Sequence, residues 1–519
     1  MSPAKIEAAA TITDKAFQEL IAKRGRALLS LANCIVQHKS PHKMLVRPFL
    51  GELLSQSMQM SELLDAYGAR NNRRWGTFRS LTSAIKLFSD VSYDLLNIQH
   101  ASSAYHLLPI EHNFTRATQQ ALAFTGDVLL RAAGSLLEQA HQIGLPVPAQ
   151  NYDDDTYGEK LPPGRLPHDH TTRRVETVSE TVTLLATAFL NLAAESESIC
   201  AAGNAKPDEY AEYISNCVRE ENLRSLELRF HNLQSLYDTY VSETEIEGLD
   251  PDLLILRGHL SVVFHLLKTA TSFAHYYERH ISCPICGASV AQDLLMNPET
   301  LLATLMNYSI AYAGCYIGCA QRLCQTMLRR YAEVGRIEAP VPRYRGFHVR
   351  PSTLISKIVL HYGSDVQIEL NNQVYDAGSP LEIFRVNEEI NACKRRCLAE
   401  EIVRLNLVPQ TTCGKGIMSI VWNVVLTLAE RSKLVLYEQP LKLDAESCRQ
   451  EGTPLERVID EIARLLAIGK IDIATDMTVV FVGDKRVLAD IKLLAESGYG
   501  EDNFGNNVPL PKGLAYLGR

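Results

Sequence analysis

The chain has no excess of basic residues: 52 Lys and Arg stand against 60 Asp and Glu, a formal net charge of −8. No overall positive field therefore draws nucleic acid or an anionic membrane to it. The opening residues, MSPAKIEAAATITDKAFQEL, lack the apolar core and cleavage site of a secretory signal, so a reducing cytoplasm is expected. There the twelve cysteines, scattered over 519 residues, are mostly thiols. There is no repeat of clear period. The CGKG at 413–416 lacks the further glycine and the hydroxyl of a phosphate-binding loop. One uncharged run, Leu301 to Gln321, is long enough to span a bilayer. Asn307, Ser309 and its small residues make it a buried bundle helix instead, with no membrane insertion expected.

What the sequence does have is helical periodicity. Between Thr172 and Glu197, Val178, Val182, Leu185, Phe189 and Leu192 recur at steps of four and three, which lines one helix face. Leu256, Leu260, Val263 and Leu267 repeat the pattern. Similar recurrence elsewhere before residue 335 predicts a large α-helical bundle in two parts, 1–145 and 173–335. Between them, 146–172 is rich in proline, glycine and acid and reads as a linker loop.

After residue 336 the texture changes. Pro340 and Pro342 fit only an edge strand, because each removes a ladder donor. The segment PSTLISKIVLHYG (351–363) has a helical apolar face, with Pro351 suited to the first turn. DVQIEL (365–370) alternates as a half-buried strand, Asn371-Asn372 turns the chain, and QVYDA returns it. Ser379-Pro380-Leu381-Glu382 is a capping box opening the next helix. Downstream, MTVVFVG (477–483) is a buried strand and DKRVLADIKLLAES a helix. The order is strand, helix, strand, strand, helix, strand, helix.

At the first strand-to-helix corner lies RGFHVRPST, residues 345–353. A helix start offers backbone N–H groups and a positive dipole end, and Arg350 and Arg345 supply guanidinium groups matched to phosphate. His348 supplies an imidazole, the side chain whose neutral ring nitrogen can attack a phosphoryl group.

This corner and the element order resemble HPr, the histidine phosphocarrier family of the bacterial phosphoenolpyruvate:sugar phosphotransferase system. Gly346, His348, Arg350, Pro351 and Ser352 match the family signature, while Phe347 and Val349 are bulkier than usual. The family's regulatory serine falls on Ser379. The resemblance covers about 335–387 and 474–498; the helical insertion 388–474 is not found in ordinary members.

The resemblance implies an α+β open-faced sandwich over 336–498, a four-stranded antiparallel sheet with helices on one face, and a C-terminal tail over 499–519. The whole is then mainly α and multidomain. The implied function is a phosphocarrier or regulatory component: phosphorylated enzyme I loads His348, and Arg350, Arg345, Ser352 and Thr353 surround the phosphoryl group before a downstream protein accepts it. A serine kinase acting on Ser379 is a further implied partner, although capping alone also explains that serine. The alternative is an interaction or structural protein in which an HPr-like module has become a docking surface and the bundle makes homo-oligomers. Cys283 and Cys286 of CPICG have zinc-knuckle spacing, completed by Cys315 and Cys319 or by His275 or His280, or else are two reduced thiols; no other cofactor is implied. HDH at 168–170 and RNNRRW at 70–75 read as solvated segments, and Cys393 and Cys397 as helix packing residues.

Overall fold

The computed structural model describes residues 11–518 apart from 39, 149–156, 159–165, 167–176, 283–294, 410–415, 438–440, 442–451, 474 and 503–505. Most of the linker loop, HDH, the CGKG turn and both knuckle cysteines, Cys283 and Cys286, lie outside the described residues. The chain divides into two compact units, Met1–Cys324 and Gln325–Arg519.

The first unit is helical. Its longer helices are α1 (Asp14–Arg24), α2 (Arg26–Gln37), α3 (Arg47–Ala66), α4 (Gly76–Ala101), α5 (Phe114–Gln142), α6 (Val178–Glu195), α7 (Glu220–Tyr240) and α8 (Pro251–Tyr276). The division between units falls inside α9 (Ala311–Arg330). The predicted apolar faces are the buried ones: Val182, Leu185, Phe189 and Leu192 on α6, and Leu256, Leu260, Val263 and Leu267 on α8. Thr177 and Glu180 close a full capping box at the start of α6. The uncharged run from Leu301 is helical and mostly buried, with a π-helical turn at Leu305–Ile310 before α9.

The second unit holds a four-stranded antiparallel sheet. Its strands are β1 (Val334–Pro340), β2 (Val366–Leu370), β3 (Gln373–Asp376) and, after the inserted segment, β6 (Thr478–Asp484). The spatial order is β1-β6-β2-β3, so β6 is central and β1 lies at an edge, where Pro340 costs no inter-strand bond. Helix α10 (Val349–Tyr362) follows β1, α11 (Pro380–Arg404) follows β3 and α14 (Lys485–Glu496) follows β6. Ser379 caps α11 by accepting from the Glu382 N–H at 3.4 Å. The return half of the box is not made: the Ser379 N–H donates to the Asp376 carbonyl at 3.3 Å, and the Glu382 carboxylate accepts from Arg385 at 2.7 Å.

Within the insertion lie α12 (Ile417–Glu430), β4 (Val435–Leu436), α13 (Pro454–Ala467) and β5 (Ile471–Asp472). These elements bury a core of their own around Val421, Val425, Leu428, Val458, Ile462 and Ile471, to which the far end of α11 contributes Leu398 and Ile402. On the same helix Cys393 is half-buried, but Cys397, expected to pack, is exposed. The apolar faces of α12 and α13 thus find one another, as amphipathic helices must.

Residues 499–519, expected as a tail, fold back onto the unit. Tyr499, Leu514 and Leu517 are buried, and the Tyr516 ring stacks on His361 of α10 with centroids 4.1 Å apart. Tyr516 and Tyr362 both donate to the Asp490 carboxylate, at 2.7 and 3.0 Å. Burial drives the His361 imidazole down to about 4, so the folded state holds it neutral.

The sign of the linkage follows from that depression. An unfolded His361 takes up a proton as pH falls below about 6.5 and the folded one does not, so its contribution is full above that value and is lost towards pH 4. The depression corresponds to about 3 kcal/mol once both states are below their titration ranges. Burial also raises the Asp490 carboxyl, which works in the opposite direction in acid. His361→Phe is therefore expected to lose less stability than wild type between pH 7 and pH 4.5, with Asp490 present in both. Amide hydrogen exchange of α10 measures this, and equal losses would refute it.

Candidate functional site

The corner between β1 and α10 is built by backbone conformation before any side chain acts. Arg345 and Gly346 both adopt left-handed φ, 58° and 59°, which favours glycine at 346, and a Cβ there would meet the Asn387 side-chain amide. Helix α11 and the insertion together clamp this turn. Asn387 Nδ2 donates to the Arg345 carbonyl at 3.3 Å, and the Arg345 N–H donates to Asp472. Asp472 is itself held by Lys394 Nζ at 3.0 Å, in an ion pair whose side chains are only 5% and 1% exposed. Phe347, the bulky departure from the signature, is fully buried and meets Tyr499 edge-on at 5.8 Å.

His348 is thereby placed as the N-cap of α10 in extended backbone conformation. The Ser352 N–H closes the first turn onto the His348 carbonyl at 3.1 Å. Pro351 has no N–H, so the helix opens with the N–H groups of Val349 and Arg350 outside the intrahelical ladder. The imidazole is 24% exposed. Its Nε2 lies 3.1 Å from Glu501 and its Nδ1 3.2 Å from the Gly346 carbonyl. Arg350 donates through Nε to the Gly500 carbonyl at 3.1 Å; its outer Nη groups have no partner among the described residues.

Both contacts come from one strap, Gly498 to Asp502, most of which falls in the stretch 499–519 that the sequence marks as a tail. Gly498, Tyr499 and Gly500 are consecutive left-handed residues, with φ of 74°, 58° and 72°. For tyrosine that conformation costs about 1–3 kcal/mol. Burial of its ring and a 2.6 Å bond from its hydroxyl to the Pro340 carbonyl hold it there. The Gly-Tyr-Gly spelling is the local signal of such a turn. No local signal tells which side chain the turn reaches, because Glu501 and His348 lie 153 positions apart.

The other expected phosphate contacts are placed differently. Ser352 is fully buried with its hydroxyl donating to the Phe347 carbonyl at 2.7 Å, so it packs the corner from within and does not face an incoming group. Thr353 donates to the Val349 carbonyl at 2.7 Å. The Arg345 guanidinium stands 4.4 Å above the Tyr437 ring, a cation–π contact that directs it to a neighbouring cleft. Ser379 is half-buried at its cap.

A second polar cluster lies in the helical unit. Lys268 Nζ on α8 reaches Asp94 at 2.6 Å and Asp90 at 3.0 Å, both on α4, and His265 Nδ1 lies 3.3 Å from Asp94. Burial raises the Asp90 carboxyl despite the lysine. Among the described residues no three metal-binding side chains come together in a geometry that would hold an ion.

No family model, curated protein or solved structure matches the chain. What the corner can do therefore follows from its own residues. It offers a half-exposed imidazole at a helix start, a carboxylate on one ring nitrogen, and a guanidinium anchored by its inner nitrogen alone.

Proposed function

We propose that the second unit is an HPr-like phosphoryl carrier, in which His348 accepts a phosphoryl group from phosphorylated enzyme I and passes it to a protein acceptor. The observation that carries this reading is the pairing of His348 Nε2 with Glu501 at 3.1 Å. A carboxylate accepting from Nε2–H fixes the tautomer in which Nδ1 carries the lone pair. Nδ1 is then the nucleophile. Its bond to phosphorus forms as the donor's P–N bond breaks, and no proton need leave the ring if Nδ1 is already bare. The developing charge on the three phosphoryl oxygens falls near the open N–H groups of α10 and the outer nitrogens of Arg350. The strap thus contacts both working side chains and, among the described residues, leaves the outer nitrogens of Arg350 without a partner, while His348 Nδ1 faces the Gly346 carbonyl. The edge position of β1, the antiparallel four-stranded sheet and the helices after β1, β3 and β6 support the same reading.

One observation favours the alternative, a docking module without transfer. Both ring nitrogens face acceptors, Glu501 and the Gly346 carbonyl, and a ring that donates to both has no lone pair to attack with. Transfer then requires Nδ1 to give up that proton first. Incubation with phosphoenolpyruvate and enzyme I is expected to give an acid-labile phosphate on the wild-type chain and none on His348→Ala. A wild-type chain that stays unlabelled, while binding enzyme I, would establish the docking module instead.

A further inference from the structure

Beside the corner, and separate from the imidazole, the second unit has a cleft of about 220 Å³. One wall is the loop Pro340–Arg345, another is Tyr437 at the end of β4, and the third is the strap from Gly498 to Asp502. Tyr437 belongs to the insertion, which therefore supplies one wall of the cleft.

The acids around this space are engaged. Glu501 faces His348, Asp502 accepts two bonds from Asn506 at 2.8 and 2.9 Å, and Asp472 holds Lys394 and the Arg345 N–H. The cations are not engaged in the same way. Among the described residues, neither the Arg343 nor the Arg345 guanidinium has a carboxylate partner; each instead lies over a tyrosine ring, Tyr344 at 5.9 Å and Tyr437 at 4.4 Å. Glu501 and Asp502 keep their negative charge, but their oxygens are turned to His348 and Asn506, so the groups left to meet a ligand are the two guanidinium forks, which suit oxyanions. The aromatic rings give those forks a fixed orientation and offer apolar surface to a ligand's carbon skeleton. A cleft of this size admits a compact metabolite.

We propose that this cleft binds a small organic oxyanion, a phosphorylated or carboxylated metabolite of a few carbons, gripped by Arg343 and Arg345 with its carbon skeleton against Tyr437. Because Glu501 lines the cleft and also bonds His348, an occupied cleft sets the anion beside the carboxylate that orients the imidazole. The site does not depend on transfer at His348, and the two fail separately.

The test is calorimetric titration of the full-length protein with glycerol 3-phosphate, inorganic phosphate and citrate. Saturable binding with one site per chain is expected, weakened at least 30-fold in Arg343→Gln/Arg345→Gln and by less in Arg343→Lys/Arg345→Lys, which keeps the charge without the fork. His348→Ala is expected to bind within threefold of wild type, which separates this site from the carrier reading. Tighter binding of the phosphates assigns a phosphorylated ligand, and tighter binding of citrate a carboxylated one. Absence of saturation by all three probes at 10 mM (about a 100-fold excess over a typical titrated protein concentration), or equal affinity in the double glutamine variant, would overturn the proposal.

Discussion

Glu501→Gln is expected to slow phosphoryl acceptance at His348 by about 10–100-fold, the usual loss when the partner that orients a working histidine is replaced. The amide is nearly isosteric, so the strap and its Tyr499 anchor should survive. The change is chemical: a glutamine can present its NH₂ to Nε2 and stabilise the tautomer with the proton on Nδ1, where the attacking lone pair should be. Two readouts separate this from simple destabilisation. The imidazole nitrogen resonances of His348 should shift towards the Nδ1–H form. Glu501→Asp, which keeps the charge on a shorter arm, should recover part of the rate. A faster Glu501→Gln protein would mean that the strap obstructs the ring and does not position it.

The second large effect concerns the clamp behind the corner. Lys394→Met is expected to cost about 3–5 kcal/mol in the opening free energy of the corner and the insertion, because it strands a buried carboxylate. Asp472 is only 5% exposed, and its remaining partners are the backbone N–H groups of Arg345 and Ile473. Global unfolding of a two-unit chain does not report one free energy. Native-state hydrogen exchange of the Arg345 and Ile473 amides is the appropriate measure. Lys394→Met/Asp472→Asn should be less destabilised than Lys394→Met alone, since it leaves no bare charge. A single variant within 1 kcal/mol of wild type would show that water reaches Asp472 (a penalty of about that size is what an exposed pair leaves).

These two groups mark the limit of what one sequence discloses. The elements themselves were legible because their causes are local. Apolar spacing gave α6 and α8, alternation gave β2, the Asn371-Asn372 turn gave the hairpin, and the prolines placed β1 at an edge. His348 and Arg350 were legible for the same reason, since glycine, imidazole, guanidinium and proline fall within five positions. The structure adds that Ser352, inside that stretch, is a packing residue, which follows from its i, i+5 bond to Phe347 and not from its type. Lys394, Asp472 and Glu501 were not legible, because each reads as an ordinary surface charge until the chain brings it against a partner 78 to 153 positions away. The tail was misjudged on similar grounds. Its irregular composition hides Tyr499, Leu514 and Leu517, each buried by tertiary contact.

The insertion acquires a physical role from the same contacts. It does not only lengthen the unit: through Lys394 and Asp472, beside Asn387 of α11, it holds the left-handed turn from which His348 projects, and through Tyr437 it walls the adjoining cleft. A domain with the same corner but without this block would have to hold the turn by other means.

The most direct test is phosphorus NMR of the protein after incubation with phosphoenolpyruvate and enzyme I, run in parallel on wild type and His348→Ala. The account predicts a phosphoramidate resonance in wild type that vanishes on acidification and is missing from His348→Ala, with substitution at Nδ1 shown by its coupling to the ring carbons. A wild-type spectrum without that resonance, or one in which the phosphate sits on Nε2 or on another residue, would contradict it.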